Sequence, residues 1–167
     1  RSTLFPYTTL FRSASNEAYL TSGGAIAASS YMSKPYLTVV NCEFNDNYAV
    51  GSGGAISFGS STLTVENSRF NNNIASSGNG GAISTSSSTS TITNCEFEDN
   101  VASGNGGAIS SGTATSTISD CEFKYNSASG YGGAVYAENK GRLTVDNSDF
   151  IYNTANPNYG LAIAYYY

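Results

Sequence analysis

The chain has 167 residues, enough for one domain with a buried core, yet only 11% of them are charged, against roughly 25% in an ordinary soluble domain. It holds 18 glycines and three cysteines, lacks Trp and His, and carries a net charge of −5, so no basic nucleic-acid-binding surface is expected. No apolar run approaches the ~20 residues of a membrane-spanning helix.

At the N-terminus, Thr3–Ser13 reads TLFPYTTLFRS, which is similar to the in-frame translation of a common sequencing-library adapter. Residues 1–13 are therefore expected to be a non-native scar, with the native fold in 14–167 and uncapped at both ends. Setting aside Arg1 and Arg12 leaves five basic residues against 12 acidic ones, a net charge of −7.

From there a unit repeats. It opens with a glycine pair followed by Ala and then Ile or Val, at Gly23–Gly24, Gly53–Gly54, Gly80–Gly81, Gly106–Gly107 and Gly132–Gly133, with a degenerate Gly160–Leu161. The apolar residues are Ile26, Ile56, Ile83, Ile109, Val135 and Ile163. Next come alternating segments: LTVV (Leu37–Val40), LTVE (Leu63–Glu66), STIT (Ser90–Thr93), STIS (Ser116–Ser119) and LTVD (Leu143–Asp146). The unit closes on Phe-x-x-Asn, at Phe44/Asn47, Phe70/Asn73, Phe97/Asn100, Phe123/Asn126 and Phe150/Asn153, with Phe steps of 26, 27, 26 and 27. All three segments alternate at period two, and Gly, Ser and Asn clusters part them. The unit is read as three short strands and three turns.

Such a unit cannot bury its apolar face alone, so neighbours must cover it. Stacking like on like at ~4.8 Å predicts an all-β, right-handed parallel β-helix of about five coils, each 26–30 residues long. Ile of the first strand, Val or Ile of the second and Phe of the third should point inward as columns. The glycine pair turns a corner that needs positive φ and close approach of coils. Asn47, Asn73, Asn100, Asn126 and Asn153 form a structural ladder whose amides bond along the axis, and Asn16 fits it one coil earlier.

The chemistry-bearing residues follow the same period. Cys42, Cys95 and Cys121 share a slot with Ser68 and Ser148, the mark of a small inward position. Without CxxC or His they give no metal signature, and parallel side chains on adjacent coils suit a disulfide poorly. Glu43, Arg69, Glu96, Glu122 and Asp149 occupy an outward slot; Glu43–Arg69–Glu96 and Glu98–Lys124 are expected to pair between coils. Asp46, Asn72, Asp99, Tyr125 and Tyr152 follow. No calcium-loop motif is present, and no cofactor or metal is expected. Thr38, Thr64, Thr91, Thr117 and Thr144 form an outward column, with Thr62, Thr89 and Thr115 beside it and Arg142 interrupting. The longer segment Ala27–Tyr36 places Tyr31, Met32, Lys34 and Tyr36 in a candidate partner-binding loop.

GGA[IV] and FxxN, once per coil in fixed phase from Asn16 to Ile163, resemble the polymorphic outer-membrane protein repeat. The resemblance implies a right-handed β-helical passenger of a secreted surface protein, often an autotransporter or adhesin, held to the membrane only through an anchor or barrel elsewhere. The expected function is a non-catalytic adhesin-like stalk at the outer membrane or cell wall. Its partner would be a protein or glycan of a host or neighbouring cell. The alternatives are a fragment of a polysaccharide-active β-helix enzyme and an ice-binding rod with a threonine face.

Overall fold

The computed structural model describes residues 11–18, 22–29, 36–60, 62–113, 115–138, 142–156 and 162–165. Among these, every element is a strand and every strand pair is parallel, with each strand bonded to its counterpart one coil away. The register joins like residues: Phe70 with Phe97, Thr64 with Thr91, Ile56 with Ile83. About five coils wind around one core.

Four sheets run along the axis, where three were expected. The Ile sheet has six strands: Ile26–Ser29, Ile56–Gly59, Ile83–Ser86, Ile109–Ser111, Val135–Ala137 and Ile163–Tyr165. The Thr sheet has five: Tyr36–Val40, Thr62–Glu66, Thr89–Thr93, Thr115–Ser119 and Arg142–Asp146. The Phe sheet has six: Phe11–Ala14, Cys42–Asn45, Arg69–Asn71, Glu96–Glu98, Glu122–Lys124 and Asp149–Ile151. The unforeseen Ala sheet consists of two-residue strands, Glu17–Ala18, Tyr48–Ala49, Ile74–Ala75, Val101–Ala102 and Ser127–Ala128. Two residues offer one inward and one outward side chain, too few for alternation to register as a pattern. The inward one is always Ala, and Ala49, Ala75 and Ala102 have no exposed surface.

Phe44, Phe70, Phe97 and Phe123 are fully buried, and with Phe150 their rings stack at centroid separations of 4.8–4.9 Å and interplanar angles of 3–6°. That spacing is the inter-strand distance of a sheet, so the backbone pairing sets the ring stack. Ile56, Ile83, Ile109 and Val135 of the Ile sheet and Val65, Ile92 and Ile118 of the Thr sheet complete the same core cluster. Each such side chain contributes ~1.5–3 kcal/mol on burial. The strand Phe11–Ala14 straddles the expected boundary at residue 13 and pairs with Cys42–Asn45, which puts Ser13 at the Phe position of the first coil.

At each glycine pair the first residue has positive φ, 63–76°. In the fourth coil, a Cβ on Gly106 (φ 68°) would also strike the Ile109 carbonyl at 2.1 Å. The glycine pair therefore recurs because every coil takes this corner in a conformation that costs L-residues free energy.

One part of the interior is polar. Ser90 and Ser116 replace Leu37 and Leu63 in an inward column of the Thr sheet, and their hydroxyls lie 2.7 Å apart. Ser111 of the facing Ile sheet bonds Ser116 at 2.7 Å. Thr85, in register with Ser111, is 2% exposed, and its Oγ1 has no hydrogen-bond partner. A buried orphan hydroxyl is destabilising. Thr85→Val keeps the shape and removes the orphan, and is expected to raise the unfolding free energy by about 1 kcal/mol in urea titrations. A loss of stability would contradict this account of the site.

Candidate functional site

The corner between the Thr and Phe sheets forms a groove of about 680 Å³ running across five coils. Three columns build it. One rim is Asn41, Asn67, Asn94, Asp120 and Asn147, all in the left-handed backbone region (φ 42–55°), where Asn and Asp are the least strained of the residues with a Cβ. These amides link along the axis: Asn94 Nδ2 donates to Asn67 Oδ1 at 2.6 Å, and Asn147 Nδ2 to Asp120 Oδ1. The opposite wall is Glu43, Arg69, Glu96, Glu122 and Asp149, the outward slot read from the sequence.

The floor is the Cys/Ser column. Cys42, Cys95 and Cys121 are buried. Their Sγ atoms donate to the carbonyl two residues back, at 3.1–3.2 Å, and Ser68 and Ser148 Oγ make the same bond at 2.8 Å. Thiol and hydroxyl interchange here because each is a small donor that closes the same turn. The neighbouring Cys121 of the next coil pushes the Cys95 thiol above its ordinary range, and burial pushes the same way.

The charged wall is partly paired. Arg69 Nε donates to Glu96 Oε2 at 2.9 Å, and this bond, with the Glu96 charge, raises the Arg69 pKa. Glu43 lies opposite Arg69 in the preceding coil and acts on it through space. Lys124 does not pair with Glu98 as expected. Although Glu98 stands opposite it in register, Lys124 Nζ bonds Glu122 at 2.7 Å on its own strand. Residues two apart share a face of a strand, so Glu122 lies within reach of the long lysine side chain.

The ladder residues lie inside the coil and not in the groove. Asn47, Asn73, Asn100 and Asn126 have no exposed surface, and Asn153 is 9% exposed. Each Oδ1 from Asn73 to Asn153 accepts from the preceding ladder amide at 2.8–2.9 Å and from that residue's backbone N–H at 3.0–3.2 Å. Asn16 joins at the first coil, its Nδ2 donating to Asn47 Oδ1 at 2.9 Å. Tyr31, Met32 and Lys34 lie outside the described residues. Tyr36 opens a strand of the Thr sheet, 41% exposed, in register with Thr62. The two outward threonine columns run in register, Thr38–Thr64–Thr91–Thr117–Thr144 beside Thr62–Thr89–Thr115–Arg142.

The rim of left-handed Asn and Asp was missed from sequence as a wall of a groove. Its signal was present, an Asn or Asp before each Cys or Ser of the floor column. Chemically, the groove offers an amide or carboxylate on its rim and a charged side chain on its wall once per coil, suited to hydrogen-bonding an elongated polar ligand. Among the described residues no three His, Cys, Asp or Glu side chains are placed to hold a metal ion. The family described as a right-handed beta helix region matches residues 9–164. Neither a curated protein nor a solved structure matches the chain.

Proposed function

We propose, from the premise that the chain belongs to the right-handed beta helix family, that it is a non-catalytic segment of an extracellular, adhesin-like surface protein. In this reading it is a passenger or stalk of the polymorphic outer-membrane repeat type, rigid along its axis. It presents its groove and outward columns to a protein or glycan on a host or neighbouring cell.

The observation that carries the reading is the unbroken register of the surface. The groove's rim, floor and wall positions recur coil after coil, and so does the Thr38–Thr64–Thr91–Thr117–Thr144 column. Acid–base catalysis uses titratable groups whose surroundings differ, so that one is held protonated and the other not. The wall instead repeats one charged side chain per coil, and Glu96 and Glu122 are held in salt bridges with Arg69 and Lys124. A repeated polar strip suits instead many weak contacts in parallel, whose strength grows with the number engaged.

The reading is tested by immobilising the chain on beads and measuring retention of epithelial and bacterial cells under flow, alongside release of reducing ends from acidic and neutral polysaccharides. Retention above bare beads, reduced when Arg69 and Asn94 are both changed to Ala, with no polysaccharide cleavage, is the expected outcome. Cleavage would replace the stalk by an enzyme; absence of retention would remove the adhesin.

A further inference from the structure

Behind the Phe sheet lies a column that the binding reading does not use: Asp46, Asn72, Asp99, Tyr125 and Tyr152, all with φ between 52° and 56°. In the first three coils the left-handed position is held by Asp or Asn, which tolerate it, and Asn72 Nδ2 caps Asp46 Oδ1 at 2.7 Å. In the last two it is held by tyrosine, for which this backbone is uncommon and costly. The two rings stack across the coils, centroids 5.6 Å apart and 10° from parallel, and they stand 50% and 74% exposed. Two phenols thus face each other at the surface, their Cα atoms held by the sheet pairing beneath them.

We propose that Tyr125 and Tyr152 form an oxidative modification site, a dityrosine staple between consecutive coils, made by a one-electron oxidant such as peroxidase-activated hydrogen peroxide. Each phenol gives up one electron and its hydroxyl proton, leaving two phenoxyl radicals. Their ortho carbons join in a C–C bond, and the two ortho hydrogens move to oxygen, restoring both phenols. The peroxide O–O bond breaks, and two waters form per link. Stacking keeps the second radical at the first one's side, so coupling does not wait for a diffusional encounter. Exposure admits the oxidant and leaves the rings free to swing together. A second tyrosine pair among the described residues is less suited: Tyr131 and Tyr136 are 6.0 Å apart and tilted by 32°, and Tyr136 is only 5% exposed. The staple would tie neighbouring coils covalently. It stands independently of the adhesin reading.

The test treats dilute protein with horseradish peroxidase and limiting hydrogen peroxide, then denatures and digests it with trypsin, which cleaves after Lys124, Lys140 and Arg142. The peptide starting at Tyr125 should appear joined to the one holding Tyr152, lighter than their sum by two hydrogens. Its yield should not change on dilution, because the link is intramolecular. Tyr125→Phe and Tyr152→Phe keep the rings and should each abolish this peptide with an unchanged circular dichroism spectrum, whereas Tyr131→Phe should leave it intact. The proposal is overturned if dityrosine forms only at other tyrosines or between chains, if none forms, or if the link survives either of the first two substitutions.

Discussion

Asn100→Ala should lower the unfolding free energy by about 3–5 kcal/mol, because it strands several buried groups at once. Asn100 Oδ1 accepts from the Asn73 backbone N–H at 3.0 Å and from Asn73 Nδ2 at 2.9 Å. Its own Nδ2 donates to Asn126 Oδ1 at 2.9 Å and to the Phe70 carbonyl at 3.0 Å. All of this is out of water, since Asn73, Asn100 and Asn126 have no exposed surface. Alanine removes the acceptor of two buried donors and the donor to one buried carbonyl, and each orphan costs ~1–3 kcal/mol. Urea unfolding reads the loss, and a change under ~1 kcal/mol would mean that the ladder is ornament and not structure.

Two companions sharpen this result. Asn16→Ala removes the terminal, exposed rung, where water replaces the amide, so it should cost much less. Asn100→Asp keeps the acceptor but loses the donor and buries a charge against the Phe70 carbonyl. The folded-state pKa of that carboxyl must lie above its unfolded value, so the folded protein binds the proton more tightly and the deficit shrinks as pH falls.

Gly107→Ala is expected to cost at least about 3 kcal/mol, a fall in melting temperature of roughly 6–12 °C for a chain of this size. A Cβ there would sit 2.0 Å from the Gly133 carbonyl oxygen and 2.6 Å from the Ser127 nitrogen, both backbone atoms of the next coil. That coil cannot retreat without breaking the pairs Gly107 N–H to Gly132 O, 3.1 Å, and Ala108 N–H to Ala134 O, 2.9 Å. Overpacking is tolerated where a flexible side chain yields, and here none is available. Gly112→Ala is the control: its nearest obstacle is the Thr85 carbonyl at 3.3 Å, and the change should stay within ~1 kcal/mol of the parent. Equal effects at the two positions would show that coil-to-coil approach is not what selects glycine at the corner.

The amino-acid sequence by itself determined the coil. Its period, the parallel stacking of like on like, the inward Phe and Ile columns and the glycine corner follow from residues that recur in fixed phase, because a repeated unit has only its neighbours to bury it. The tertiary structure alone decided five things. It closed each coil with a two-residue Ala strand, too short for any periodicity. It gathered Thr85, Ser90, Ser111 and Ser116 into one buried polar patch, since residues from facing sheets meet only once the coil closes. It gave Lys124 to Glu122 and not to Glu98, a choice between two neighbours on one face that depends on rotamers. And it turned the corner before the Cys/Ser column into a groove, and two spaced tyrosines into a stacked pair, because a concavity and a ring-to-ring distance belong to the backbone path between coils and not to the residues along one of them.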